Sequence, residues 1–276
     1  MGKLVVVDKQ AYPTDLNDTQ WALIAPLLPK RQTDRGRPRT WTDRDILDAI
    51  LYIVRGGCGW RLMPHDLPCW QTAYGYYWHW RNIGVWEEIN GVLVQKVRVR
   101  QGREPHPSAA VIDSQSVKTS EGGEGRGVDV HKQTSGRKRH LVVDVLGLVL
   151  LVVVHSASIQ DGAGGLLTLQ KLFERIKHNV HNRWCRLKLI WADGGYTSIA
   201  EKVRQQFGWV LEIVKRSDDM KGFQVLPRRW VVERTFGWLG RYRRLARDYE
   251  HTTSSSESMV YIASIHRMLR LLSCQT

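Results

Sequence analysis

Apolar residues recur at helical spacing through the first third of the chain and in unbroken β-branched runs further on. NDTQWALIAPLLPK carries capping residues at Asn17 and Asp18 and stops near Pro29. TDRDILDAILYIVRGG opens with Thr42 three residues before Asp45 and ends at Gly56 and Gly57. Both patterns predict helices, and a third is predicted from about Trp70 to Arg81. The later pattern is different. AAVIDSQSVKT is an apolar run ending in Asp113. A Gly-rich polar loop, EGGEGRGVDVHKQTSGRK, follows, and then RHLVVDV and LVLLVVVHSA, joined at Leu146 and Gly147, predict an antiparallel hairpin. A helix from about Gly164 to Lys177 comes next, then a buried strand, RLKLIWADGG, ending at Asp193. SIAEKVRQQF predicts a helix and VLEIVKR a strand. RRWVVERTFGWLGRYRRLARDYE, starting at Arg228, predicts the last major helix.

The two patterns divide the chain. Trp21, Trp41, Trp60, Trp70, Trp78, Trp80 and Trp86 all precede residue 90, whereas the later part is rich in Val, Leu and Gly. The boundary is expected in RQGREPHPSAA, where Gly102, Pro105 and Pro107 discourage regular structure. This gives a helical, Trp-rich unit over residues 1–104 and an α/β unit over 105–276. With 276 residues, 42% of them hydrophobic, there is enough chain for one large core or two ordinary ones.

Charge narrows the partner. The 41 Lys and Arg against 27 Asp and Glu give a net charge of +14, which suits a polyanion such as nucleic acid or an acidic membrane surface. The longest apolar run, VLGLVLLVVV, is about ten residues, too short to span a bilayer. The start, MGKLVVVDKQ, lacks the apolar core and cleavage site of a secretory signal, so the expected location is the cytoplasm. Cys58, Cys69, Cys185 and Cys274 form no C-x-x-C pair and read as small apolar residues. Between the first two helices, RGRPR contains Arg35, Arg37 and Arg39. An extended segment of this kind can lie in a narrow A·T-rich minor groove, and a solvated charged linker is an equal reading.

Three acids stand out from this basic background. Asp113 and Asp193 each close an apolar strand, and Glu233 follows 40 residues after Asp193 on the last predicted helix. Each aspartate has an ordinary alternative role as a turn or cap residue, and Glu233 can simply pair with Arg229 at i, i+4. Taken together, two carboxylates at strand ends and one from a helix can converge on a point. Magnesium, or manganese in its place, prefers such oxygen ligands. Two such ions can serve the attacking and leaving oxygens of a phosphodiester displacement. At 100° per residue, Arg229, Gly237, Gly240, Arg244 and Arg247 share the Glu233 face, while Val231, Trp238, Tyr242 and Leu245 lie opposite. The small glycines suit close approach of a DNA backbone, and the arginines suit its phosphates.

The motifs IDSQSVKT, GRKRHLVVDVLGLVLLVVVHSASIQD, WADGGY and KGFQVLPRRWVVERTFGWLGRYRRLARDYE, with WALIAPLLP, GRPR, AILYIVRGGCGWRLMPHDLP and GVWEEI before them, resemble the DDE transposases of bacterial insertion sequences. The resemblance is to the insertion-sequence-five-like branch of the four/five superfamily and runs from about Asp15 to Leu271. It implies an α/β fold: a ribonuclease-H-like catalytic domain, with a mixed sheet flanked by helices, preceded by an α-helical DNA-binding domain. It implies Asp113, Asp193 and Glu233 as the catalytic, metal-binding triad for two Mg2+ ions, or Mn2+. The implied partners are double-stranded DNA, as terminal inverted repeats and target, and further copies of the chain on that DNA. In the superfamily pattern Tyr-x2-Arg-x3-Glu-x6-Lys, Arg229 and Glu233 fit. Leu226 and Gly240 take the Tyr and Lys places, with Arg241 and Arg244 as substitute positive charge. Lys138, Arg139 and His140 are candidate DNA contacts or a solvated strand end. PHDLPCWQTAYGYYWHWRN resembles the second half of a helix-turn-helix, with Gln71, Tyr74 and Arg81 as candidate readers and its aromatics as the alternative core. A nuclease of the same fold that never joins DNA, and a silent DNA-binding regulator, remain as alternative functions.

Overall fold

The computed structural model describes residues 11–30, 40–120, 122–178, 183–214 and 230–274. Helix α1 (Asp18–Ile24) opens with a capping box in which Asn17 Oδ1 accepts from the Gln20 N–H and the Gln20 side chain returns to the Asn17 N–H. The same device, with Thr42 and Asp45, opens α2 (Asp43–Gly56), which stops where Gly57 turns left-handed at φ +78°. Helix α3 (Trp70–Asn82) lies where the spacing placed it. Helix α4 (Val85–Arg100) was not expected, although Val85, Trp86, Ile89, Leu93, Val94 and Val97 recur at three- and four-residue steps and are all buried.

The sheet has six strands: β1 (Ala109–Lys118), β2 (Gly127–Asp129), β3 (Thr134–Asp144), β4 (Val149–Ser156), β5 (Leu189–Ala192) and β6 (Val210–Ile213). Strands β4, β3, β1, β5 and β6 lie side by side in that order, and β2 adds to the start of β3. The β4–β3–β1 part is antiparallel and the β1–β5–β6 part parallel, so the sheet is mixed. Two expectations change. The Gly-rich loop contains β2, and β1 runs on for five residues past Asp113, so Asp113 is inside a strand and not at its end.

Helix α5 (Asp161–His178) and a 3-10 turn over Gly194–Ile199 pack on one side of the sheet, with α6 (Ala200–Phe207) beyond. On the other side lie α7 (Trp230–Gly240), α8 (Arg243–Ala246) and α9 (Thr253–Ser273). The predicted last helix is therefore broken after Gly240, and a longer one follows it. Helix α9 escaped the pattern because it is buried almost all round, from Ser255 to Leu269, and so shows no polar stripe. One apolar core runs from α2 through α4 and α9 to the sheet, and includes Leu47, Trp86, Ile262, Val152 and Ile190.

Buried cations tie these layers together. Arg98 of α4 forms an ion pair with the fully buried Asp144, whose other oxygen accepts from the Leu146 and Leu148 N–H groups at the β3–β4 turn. Arg137 on β3 donates to the carbonyls of Glu124, Glu250 and His251 and lies 3.3 Å from Asp248. A buried charge without its partner is costly, so Arg98→Met is expected to lower unfolding free energy by about 3–5 kcal/mol. Urea titration should also show the double variant Arg98→Met/Asp144→Asn recovering part of that loss. At Gly164 of α5, an added β-carbon would stand 2.4 Å from His155 Nε2 and 2.6 Å from His140 Cε1. Gly164→Ala is therefore expected to destabilise by about 1–3 kcal/mol through overpacking, measured by the same titration.

Candidate active site

Strand register brings the two aspartates together. Val111 pairs with Trp191 in the parallel β1–β5 ladder. Two residues further along each strand, Asp113 faces Asp193 on the same side of the pleat. Asp113 Oδ1 accepts from the Ser114 N–H at 2.7 Å. Asp193 leaves the end of β5 and caps the following 3-10 turn, its Oδ1 accepting from the Gly195 N–H at 2.9 Å. Both are half-buried.

Tyr196 marks the centre of this acidic region. It is 1% exposed, with Ser114 the side chain beside its hydroxyl. Burial first, and then the negative charges of Asp113, Asp161 and Asp193, push its phenol well above the ordinary value. Tyr196 is thus a neutral phenol beside three carboxylates.

Asp161 was not singled out from the sequence. It accepts from Ser114 Oγ at 2.7 Å and pairs with Lys138 Nζ at 2.9 Å. Burial pulls its carboxyl upward, but these two donors prevail and hold it below the usual carboxylate range. Lys138 also lies 3.3 Å from Asp129, so the network joins β1, β2, β3 and the start of α5. The available signal was Gly164 and Gly165 just after Asp161. An added β-carbon at Gly165 would come within 2.4 Å of the Tyr196 ring, so the paired glycines let α5 press onto this cluster.

Glu233 lies on α7, which packs on β1 and β3, and is exposed. Among the described residues no three His, Cys, Asp or Glu side chains form a group able to hold a metal ion. The β1–β5 register carries Asp113 and Asp193 to neighbouring positions, and among the described residues no three-ligand group closes on Glu233. The donors themselves fit a hard divalent cation, since the aspartate pair offers only oxygen.

The candidate DNA contacts divide by burial. Arg139 and His140 are 3% and 0% exposed, and Lys138 is 3% exposed. Arg139 donates to the Leu245 carbonyl, and His140 Nδ1 lies 2.8 Å from His155 Nε2. The His155 Nδ1 faces the Ser156 carbonyl and so carries a proton, which makes His140 the donor within the pair. Burial, followed by repulsion from His155, pushes His140 down to about 3. All three side chains are buried and bonded within the fold. Arg244 is also turned into the fold. The break after Gly240 turns it inward, 8% exposed, onto Glu250 and the Cys58 carbonyl. Arg241 and Gln71 are exposed and Arg81 is half-buried over the Tyr77 ring. On α3 the aromatics split: Tyr77 and Trp80 are core, while Tyr74 and Trp78 are 37% and 48% exposed. Arg35, Arg37, Arg39, Leu226 and Arg229 lie outside the described residues. Among the described residues no helix is long and apolar enough to cross a membrane.

Two families match successive parts of the chain. Residues 16–90 match the family "Putative transposase of IS4/5 family" and residues 104–267 match "Transposase DDE domain". The "Insertion element IS402 uncharacterized 16.2 kDa protein" of Burkholderia cepacia is 30% identical over 118 residues, which are 41% of this chain and 78% of that protein. The "Putative transposase for insertion sequence element IS402" of the same organism is 29% identical over 115 residues. That match takes in 42% of this chain and 54% of the relative, so the chain spans about half the relative's length. No solved structure matches. Because the DDE match covers more than half of the chain and the IS4/5 match takes up most of what precedes it, this protein belongs to the DDE transposases of IS4/5-like insertion sequences.

Proposed function

We propose that the protein binds the ends of an insertion sequence, cleaves the DNA there and joins the freed 3′-hydroxyl to target DNA, using Asp113, Asp193 and Glu233. The observation that carries this reading is the register of β1 against β5, which sets two carboxylates side by side next to a neutral, buried phenol. The strand order β4–β3–β1–β5–β6, three antiparallel strands followed by two parallel ones, supports a ribonuclease-H-like catalytic unit over residues 105–276. The helices before it support a DNA-binding unit over residues 1–104.

In this reading Asp113 and Asp193 hold divalent metal, Mg2+ or Mn2+, with Glu233 completing the ligand set when DNA is bound. Such ions, when bound, supply Lewis-acid activation of the attacking hydroxyl and neutralise charge on the scissile phosphate. The protein's own part is positioning. Ser114 N–H and Gly195 N–H orient the two aspartates. Asp161 and Lys138 fix the backbone of β1 and β3 behind them, and Tyr196 offers a hydroxyl to whatever the aspartates hold. Arg241, with Gln71 and Tyr74 on α3, offers exposed contacts for DNA, half-buried Arg81 lies beside them, and Arg35, Arg37, Arg39 and Arg229 are further candidate contacts. A second copy of the chain on the paired ends completes the assembly.

Helix α7 supports the approach of DNA. Glu233, Gly237 and Gly240 share one face by helical spacing. An added β-carbon at either glycine meets nothing within 4 Å among the described residues, and neither glycine has a left-handed φ. Packing among the described residues therefore gives no reason for Gly237, which inside a helix costs about 0.5–1 kcal/mol relative to Ala, while Gly240 is the last residue of α7.

Asp193→Ala is expected to reduce nicking and joining of a labelled element end in Mg2+ by at least roughly 10³-fold, the scale on which members of a catalytic unit are felt. Binding in a gel shift should stay near wild type, and retained joining would end the assignment. Gly237→Ala is expected to raise unfolding free energy by about 0.5–1 kcal/mol while weakening binding of the same DNA. Unchanged affinity in fluorescence anisotropy would show that the bare face of α7 does not meet a backbone.

A further inference from the structure

Three helices end at one place on the surface. The last turns of α2, α7 and α9 close around a cavity of about 420 Å³ bordered by Arg55, Arg241, Arg267 and Arg270, with Trp238 and Tyr242 as its aromatic wall. No Asp or Glu among the described residues lines it. The Arg267 guanidinium, pressed by burial and by repulsion from Arg234, falls to about 10, and the carboxylate that acts on it is Asp144, already paired with Arg98.

Cations at helix C-termini have an ordinary explanation, because each C-terminus carries roughly half a negative charge. Arg55 fits it, with Nη1 donating to the Arg241 carbonyl at 2.7 Å. Three helix ends, however, offset less than half of four guanidinium charges. The remaining charge is concave and preorganised. Arg267 lies 3.3 Å from the Trp238 ring centroid, with Arg234 at 4.4 Å from the same ring, and Arg55 lies 5.0 Å from that of Tyr242. Rings that fix the planes of guanidinium groups leave their N–H forks set for bidentate contact with phosphate.

We propose that this cavity is a phosphate-binding subsite that grips the backbone of a DNA strand at the C-terminal end of the Glu233 helix. The proposal rests on the reading that the protein acts on DNA. Seven residues of α7 separate Glu233 from Gly240, about 10 Å of helix and roughly three nucleotide steps. Because Trp238 and Tyr242 lie on the side of α7 opposite Glu233, a strand that meets both passes around the C-terminal end of the helix. The cavity also joins α2 of the N-terminal helices to α7, so one strand held there is gripped by both parts of the chain at once.

The test uses the full chain and a fluorescein-labelled DNA duplex in anisotropy titrations across a salt series. Arg241→Gln/Arg270→Gln removes two exposed charges from the cavity, and Arg103→Gln/Arg204→Gln removes two exposed charges elsewhere. Melting temperatures of both pairs are compared with wild type to establish that they fold. The cavity pair is expected to weaken binding about tenfold or more at low salt and to flatten the dependence of log affinity on log salt by about 1 to 2, close to one per lost phosphate contact. The control pair is expected to change both quantities far less. Arg267→Lys, which keeps the charge but loses the fork, is expected to weaken binding while keeping most of the slope. Equal behaviour of the two Gln pairs overturns the proposal. So does inorganic phosphate that raises the wild-type melting temperature but not that of the cavity pair, if DNA affinity is equal in the two, because the cavity then takes a free anion. If wild type binds but never nicks, while the cavity pair loses binding, the subsite stands and the catalytic reading fails. If wild type nicks and the cavity pair binds as well as wild type, the subsite alone fails.

Discussion

A basic chain that folds around some of its own cations must give each of them an oxygen, because an unpaired buried charge costs more than the rest of the local packing can return. That constraint shapes this protein. Arg98 is held by Asp144, Arg137 by Asp248 and three carbonyls, Lys138 by Asp129 and Asp161, and Arg244 by Glu250. These links fasten α4 to the β3–β4 turn and fasten the start of β3 to the segment before α9. They also fix the position of β1, and with it Asp113, relative to the neighbouring strands. The antiparallel side of the sheet next to Asp113 is thus held by largely buried ion pairs.

The same constraint separates structural cations from those left for a partner. GRKRH is as basic as any segment in the chain, yet Arg137, Lys138, Arg139 and His140 are all buried. Their acceptors are supplied by residues between about 13 and 114 positions away, at Glu124, Asp161, Leu245 and His251. Arg55, Arg241, Arg267 and Arg270 instead sit around an open cavity without a carboxylate on its wall. Positive charge by itself does not distinguish the two groups. Whether the fold brings an oxygen to it does.

This is where sequence reading reached its limit. The capped helices α1 and α2, the β3–β4 hairpin and the strand before Asp193 were legible because their signals are local: a capping box, a left-handed glycine, β-branched runs on either side of Leu146 and Gly147. Asp193 was legible for the same reason, since the apolar run stops at it. Asp113 was correctly set beside an apolar run, but its place inside β1 depends on pairing with β3, which continues to Lys118. Helix α9 was hidden by being buried on nearly every side. Asp161 and Tyr196 could not be recognised because what joins them is the docking of α5, a contact between segments distant in the chain.

Glycines in two helices answer to different constraints. In α5, Gly164 and Gly165 are explained from inside, since any larger residue would strike His155 or Tyr196. In α7, Gly237 and Gly240 have no such explanation among the described residues: their conformation is ordinary and the space beside them is open. A helix that gives up stability without gaining internal packing is shaped by something outside the fold. On α7 that bare face also carries Glu233, and the helix ends at the arginine-lined cavity. Trp238 and Tyr242, which wall that cavity, lie on the opposite side of α7, so an extended, negatively charged polymer that meets both the bare face and the arginines passes around the C-terminal end of the helix.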